Sequence, residues 1–158
     1  MTIFLRTLEF LGLGLWLGSD VFLSFVVAPG AFAVLGGRDQ AGTMVGFALT
    51  RMHFGGIICG VALLLARLAR VRSLTALVSP AACCVLVMIA ATVVSQFTVS
   101  AKMAGLRVQM GSIQATVGDS PLLAEFSRLH RVSVSLESVV LLAGIAAMYL
   151  LVRELVSR

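Results

Sequence analysis

Four apolar stretches, at residues 3–28, 50–68, 80–101 and 131–152, decide what this chain can fold into. A peptide group facing hydrocarbon has no water to bond, so a run of roughly 20 apolar residues satisfies itself as a helix that crosses a bilayer. The second run is short and needs the apolar residues from Met44 to Leu49 to lengthen it. With 59% of 158 residues apolar and 12% charged, the balance lies well beyond that of a soluble domain. The pattern predicts an all-α membrane protein over 1–158: a single up-down bundle of four transmembrane helices, its lateral partner the lipid bilayer of a cell (inner or plasma) membrane.

Local signals place the breaks. Pro29-Gly30 can kink the first helix, and Gly36-Gly37 ends it before Asp39, which reads as the cap of a second helix starting near Gln40. Ser79-Pro80 and Asp119-Ser120-Pro121 each pair a cap with a first-turn proline. Helices two, three and four then exceed the hydrocarbon thickness and project on one side. The arginine-bearing link with Arg67, Arg70 and Arg72 predicts that the opposite side, with both termini, is cytoplasmic.

An apolar start followed by Ala31-Phe32-Ala33 has the outline of a signal peptide, but the run is too long and carries Glu9 and Asp20. A net charge of +5 invites nucleic acid as a partner. The arginines sit at the ends of apolar helices instead of along a solvated stripe, so the membrane interface accounts for them and no nucleic-acid partner is expected. Cys59, Cys83 and Cys84 lie inside spans with no paired spacing and read as small core residues.

Charge inside lipid is costly and persists where it is buried and paired, so depth sorts the polar residues. Four helices contribute at the same end: Asp20 and Ser24; Arg51 and His53; Ser95, Gln96 and Lys102; His130, Ser133 and Glu137. At 1.5 Å per residue, Asp20, Gln96 and Glu137 lie roughly 10 to 13 Å below the interface, with His53, Lys102 and His130 above them. Asp20, Gln96, Lys102, His130 and Glu137 therefore form a candidate cavity for a small polar ligand or proton. His130 shares a helical face with Phe126 and Glu137 and is expected to point inward. Lys102 either neutralises a buried acid or snorkels to the interface. At the other end Arg6 and Glu9 can pair at i, i+3.

His53 and His130, on different helices, are candidate ligands for copper, with Met44, Met52, Met103 or Met110 as soft donors, or for haem iron. No ligand spacing reinforces this, and packing is the plainer role for His53. Gly14-x-x-x-Gly18 and Gly56-x-x-x-Gly60 mark candidate helix-packing faces. No nucleophile elbow, phosphate loop or zinc-protease signature occurs, so the chain is not expected to be an enzyme.

LWLGSDVFLSFVVAP in helix one, RMHFGG at the start of helix two, KMAGLR from Lys102 to Arg107 and FSRLHRVS at the start of helix four are similar to the transmembrane-protein-205-like family, also described as domain of unknown function 4149. The sharpest pieces are Trp16 with Ser24-Phe25-Val26, and Phe126, Arg128, His130 and Ser133. The resemblance implies a small four-helix membrane protein with eukaryotic relatives linked to tolerance of platinum compounds, and implies no catalytic residues. Three readings stand: a polar cavity that binds or moves a proton, small polar ligand or metal species; a metal- or haem-binding protein resembling copper-resistance membrane domains; and a structural or partner-binding helical module. Four helices leave little room for a pathway, which makes a homodimer the expected assembly for transport.

Overall fold

The computed structural model describes residues 2–157, and they form four long helices: α1 (Thr2–Val34), α2 (Arg38–Val71), α3 (Pro80–Met110) and α4 (Pro121–Val156), with a short 3-10 turn at Leu74–Val78. At 31 to 36 residues each, they run roughly 46 to 54 Å, against about 30 Å of hydrocarbon. All four are long and apolar enough to cross a membrane. Large apolar side chains such as Phe22, Phe25, Ile58, Leu65 and Leu142 face outward, a surface suited to lipid.

Ser79 caps α3 by accepting from the Ala82 amide, with Pro80 in the first turn. Gly111, at φ 67, takes the left-handed turn that ends α3 and sends its N–H back to the Arg107 carbonyl. Arg72 ends α2 in the same region at φ 55, where an L side chain is less at ease than glycine. Pro29 lacks the N–H that would bond the Phe25 carbonyl, and α1 absorbs this through a π turn at Leu23–Val27. Beyond the π turn α1 continues to Val34.

The helices pack as two antiparallel hairpins, α1 with α2 and α3 with α4, closed by α2 against α3 and α1 against α4. Each helix therefore has two neighbours, as in a square bundle. The apolar core of Leu13, Trp16, Leu63, Val85, Met88, Val140, Ala147 and Leu151 fills the half nearer the chain termini. Gly56 and Gly60 lie against the Trp16 indole, and Gly144 against Leu17. Gly14 and Gly18 have nothing within 4 Å of a would-be Cβ, so the packing face expected there is not used. They lie on the other side of α1 from Leu13, Trp16 and Asp20, which set its buried stripe. The close approach on α1 comes instead at Gly12, where a Cβ would sit 3.1 Å from the Cys59 carbonyl oxygen.

Asp39 is not the cap of α2. Gly37 holds that position, and Asp39 accepts from Ser112 Oγ at 2.6 Å and the Ile113 amide at 2.8 Å, tying the α3–α4 linker down. The Ser112 bond first, then the Ile113 bond, keep its carboxyl below the ordinary aspartate value. With a folded-state pKa lowered this way, the tether is fully present above the ordinary value and lost as pH falls through the lowered one. We expect protection of the Ile113 amide from hydrogen exchange, corrected for intrinsic rate, to collapse below about pH 4. Asp39→Asn should lack that acid transition, and an unchanged transition in that variant counts against the tether.

Candidate functional site

His53 stands at the centre of the polar layer, fully buried on α2. Its Nδ1 is 2.8 Å from Gln96 Oε1 and its Nε2 is 2.7 Å from Glu137 Oε1. Ser95 Oγ donates to the same Glu137 oxygen at 3.1 Å. Ser95 and Gln96 are consecutive, so they project about 100° apart. On α3, which has α2 on one side and α4 on the other, that angle serves both: Gln96 reaches α2, and Ser95 reaches α4. The π turn at Ser95–Ser100 begins at this point. Such turns concentrate at functional sites.

With the Gln96 carbonyl oxygen and a Glu137 carboxylate oxygen as its partners, an imidazolium would donate through both ring nitrogens. A half-turn of the Gln96 amide would present its NH2 to Nδ1 and suit a neutral ring that still donates through Nε2. Gln96 can follow the charge of His53 without breaking the link to Glu137.

Asp20 completes the cluster from α1. It is 1% exposed, accepts from Ser24 Oγ at a long 3.4 Å, and lies within Coulombic range of Glu137 and His53. Asp20 Oδ2 and Glu137 Oε2 make no hydrogen bond. Neither do the Trp16 indole Nε1 nor the Thr92 hydroxyl, each one turn deeper on the same face, four residues before Asp20 and Gln96 respectively. Trp16 and Thr92 were not among the expected site residues. Their signal was the i, i+4 spacing to Asp20 and Gln96, masked because a tryptophan and a threonine in an apolar helix read as packing.

His130 and Lys102 do not join this cluster. Both are exposed, and neither makes a hydrogen bond or ion pair among the described residues. The more covered positions of α4 at this end are Leu122, Leu123, Phe126, Ser127, Leu129 and Ser133. His130 falls between the directions of Phe126 and Ser127 on this arc and is nonetheless exposed, so helical phase alone does not decide its burial. Lys102 lies on the exposed side of α3. With both nitrogens of His53 engaged and His130 at the surface, the two histidines do not form the expected ligand pair for copper or haem. Among the described residues no three of His, Cys, Asp and Glu converge as a metal set.

A second buried polar cluster, near the termini, was missed. Glu9 pairs with Arg67 and Arg70 instead of Arg6. Arg70 clasps its carboxylate through Nε at 2.6 Å and Nη2 at 3.1 Å, and Arg67 Nη1 approaches it at 3.4 Å. Arg67 also donates to Glu154 at 2.6 Å, to Ser79 Oγ at 3.0 Å and to the Ala76 carbonyl at 3.2 Å. The Glu9 bond is the main force that raises the Arg70 pKa. Every charge here has a partner, so this cluster is a clasp joining α1, α2, α4 and the 3-10 turn.

A family model, domain of unknown function (DUF4149), matches residues 11–112. The chain belongs to this family. The matched DUF4149 segment contains Asp20, His53, Ser95 and Gln96, while Glu137 comes from α4 beyond it. No curated protein and no solved structure matches the chain.

Proposed function

We propose that this DUF4149 protein binds a proton on the Asp20–His53–Glu137 cluster inside the membrane and relays it towards the linker end of the bundle. One observation carries the reading: two carboxylates from opposite ends of the sequence face one fully buried imidazole, and each keeps an oxygen with no partner. With both acids ionised, the cluster holds a net charge of −1 around an imidazolium and −2 around a neutral ring. Low-dielectric surroundings disfavour either, and taking up a proton relieves the excess. The free oxygens of Asp20 and Glu137 offer places to receive it. The Gln96 amide can follow the ring's charge. The cluster is complete within one chain, so binding does not call for a dimer.

The test uses the purified chain in lipid vesicles enclosing a pH-sensitive dye, with a potential imposed across the membrane. The wild type should pass protons. Glu137→Gln and Asp20→Asn should each lower the rate at least about tenfold, the scale expected for losing one positioned proton-transfer group. His130→Asn and Lys102→Gln, both outside the cluster, should leave it unchanged. Infrared titration should show a carboxyl protonation signal that is lost in the same two cluster variants. Equal proton flux in Glu137→Gln, with no change in the carboxyl signal, would sink the proposal.

A further inference from the structure

Arg107 carries a guanidinium that its own chain seats but does not satisfy. The C-terminal turns of α3 lay it across Gly42 and Gly46 of α2. A Cβ at Gly42 would fall 3.0 Å from Nη2, and one at Gly46 would fall 3.2 Å from Nη1. The Phe126 ring of α4 covers it, with its centroid 5.4 Å from the guanidinium carbon. Three helices thus build the seat.

The Nε atom is buried without a hydrogen-bond partner, and the side chain makes no ion pair among the described residues. Burial pulls the Arg107 pKa down, and Asp39 opposes this only through space. The Asp39 oxygens are already engaged by Ser112 and Ile113. Arg107 is half-buried, and a guanidinium partly drawn out of water gains from an anion that meets it. The clasp near the termini shows how this chain treats such groups when it can, giving Arg67 and Arg70 carboxylates at 2.6 Å. Arg107 has the seat without the anion.

Arg107 lies six residues past Ala101, where the apolar run ends, or about 9 Å further along the helix axis. Headgroups occupy roughly the first 5 to 8 Å outside the hydrocarbon, and a helical side chain leans back toward the helix N-terminus, here the bilayer side, which brings the guanidinium to the outer edge of the headgroup layer. A planar guanidinium suits the oxygens of a phosphate, which it can bind through two parallel N–H groups.

We propose that Arg107, on its Gly42–Gly46 seat, binds a phosphate oxyanion, supplied by a lipid headgroup or by free phosphate. This site is separate from the proton cluster, and its failure would leave that reading untouched.

Native mass spectrometry of the delipidated full chain in neutral detergent, titrated with phosphatidylglycerol, diacylglycerol and inorganic phosphate, tests it. Saturable binding of phosphatidylglycerol but not diacylglycerol is expected. Arg107→Gln should weaken it at least about tenfold, the equivalent of one lost charge-assisted contact. Arg107→Lys, which keeps the charge if the glutamine variant folds poorly, should fall between. Arg51→Gln, at an exposed arginine resting on Phe47, serves as control and should bind as the wild type does. Arg107-dependent binding of inorganic phosphate that displaces the lipid assigns the site to the free anion, and lipid binding unaffected by phosphate assigns it to the headgroup. Equal affinity in wild type and both Arg107 variants, or no saturable binding of any phosphate, overturns the proposal.

Discussion

Glu9→Gln should be among the most damaging single changes in this protein, lowering its unfolding free energy by about 3 to 5 kcal/mol. Glu9 is 2% exposed, and the arginine side chains that meet it are each 4% exposed. Glutamine keeps the shape but removes the charge, leaving two guanidinia in a region with little water and only Glu154 to answer them. The penalty comes from stranding buried cations more than from losing a hydrogen bond. Replacing a whole buried ion cluster by apolar residues of similar volume can be neutral, whereas removing one member is costly. Arg6→Gln is the contrast. Arg6 has no carboxylate partner among the described residues, so its loss should fall within about 0.5 kcal/mol. Glu154→Gln should lie between, because that side chain is 33% exposed and water can take over part of its role. Equilibrium unfolding in mild detergent measures all three. A Glu9→Gln variant within about 1 kcal/mol of wild type would mean the clasp is well hydrated and the burial argument wrong.

Much of the architecture is legible in the sequence because hydrocarbon leaves few alternatives. Four apolar runs of sufficient length, the proline and glycine breaks between them and the serine–proline starts of α3 and α4 determine four helices and their antiparallel order. Depth is only partly readable from counting residues: His53, expected in a tier above Asp20, Gln96 and Glu137, lies level with Gln96 and Glu137 and bonds both. Orientation about each helix axis is harder. His130 sits nearly in phase with Glu137 on an ideal helix, yet it is exposed even though α3 runs past its level to meet Phe126 with Arg107. Glu9 could be matched with Arg6 by local spacing, but its partners are 58 and 61 residues away. Local rules name the nearest candidate, and only packing shows that α2 ends beside the start of α1. The same limit applied to glycine. Gly14-x-x-x-Gly18 and Gly56-x-x-x-Gly60 have identical spacing, and only the second pair faces a ring.

Gly56→Ala should be nearly as severe as Glu9→Gln, for the opposite reason: it adds atoms where there is no room. Its Cβ would fall 2.5 Å from Trp16 Cε2, and a Cβ at Gly60 would fall 2.5 Å from Trp16 Cζ3. The indole therefore lies across both glycines. Since Trp16 is itself 1% exposed and packed in the core, it cannot swing aside freely. Overpacking of this kind costs about 1 to 3 kcal/mol and sometimes more. Gly14→Ala and Gly18→Ala, with open space at both positions, should instead be neutral or gain up to about 1 kcal/mol from better helix propensity. The chain's single tryptophan gives a direct readout, because a displaced indole changes its fluorescence. Asp20 lies one turn from Trp16 and Gly56 one turn from His53, so the displacement should also disturb the carboxyl protonation signal. A smaller residue at position 16 should relieve the strain: Gly56→Ala ought to cost much less in a Trp16→Leu background than alone, a coupling expected only for groups in contact. Additive effects of the two changes would show that the glycines do not serve the ring, and would remove the packing support beneath the proton cluster.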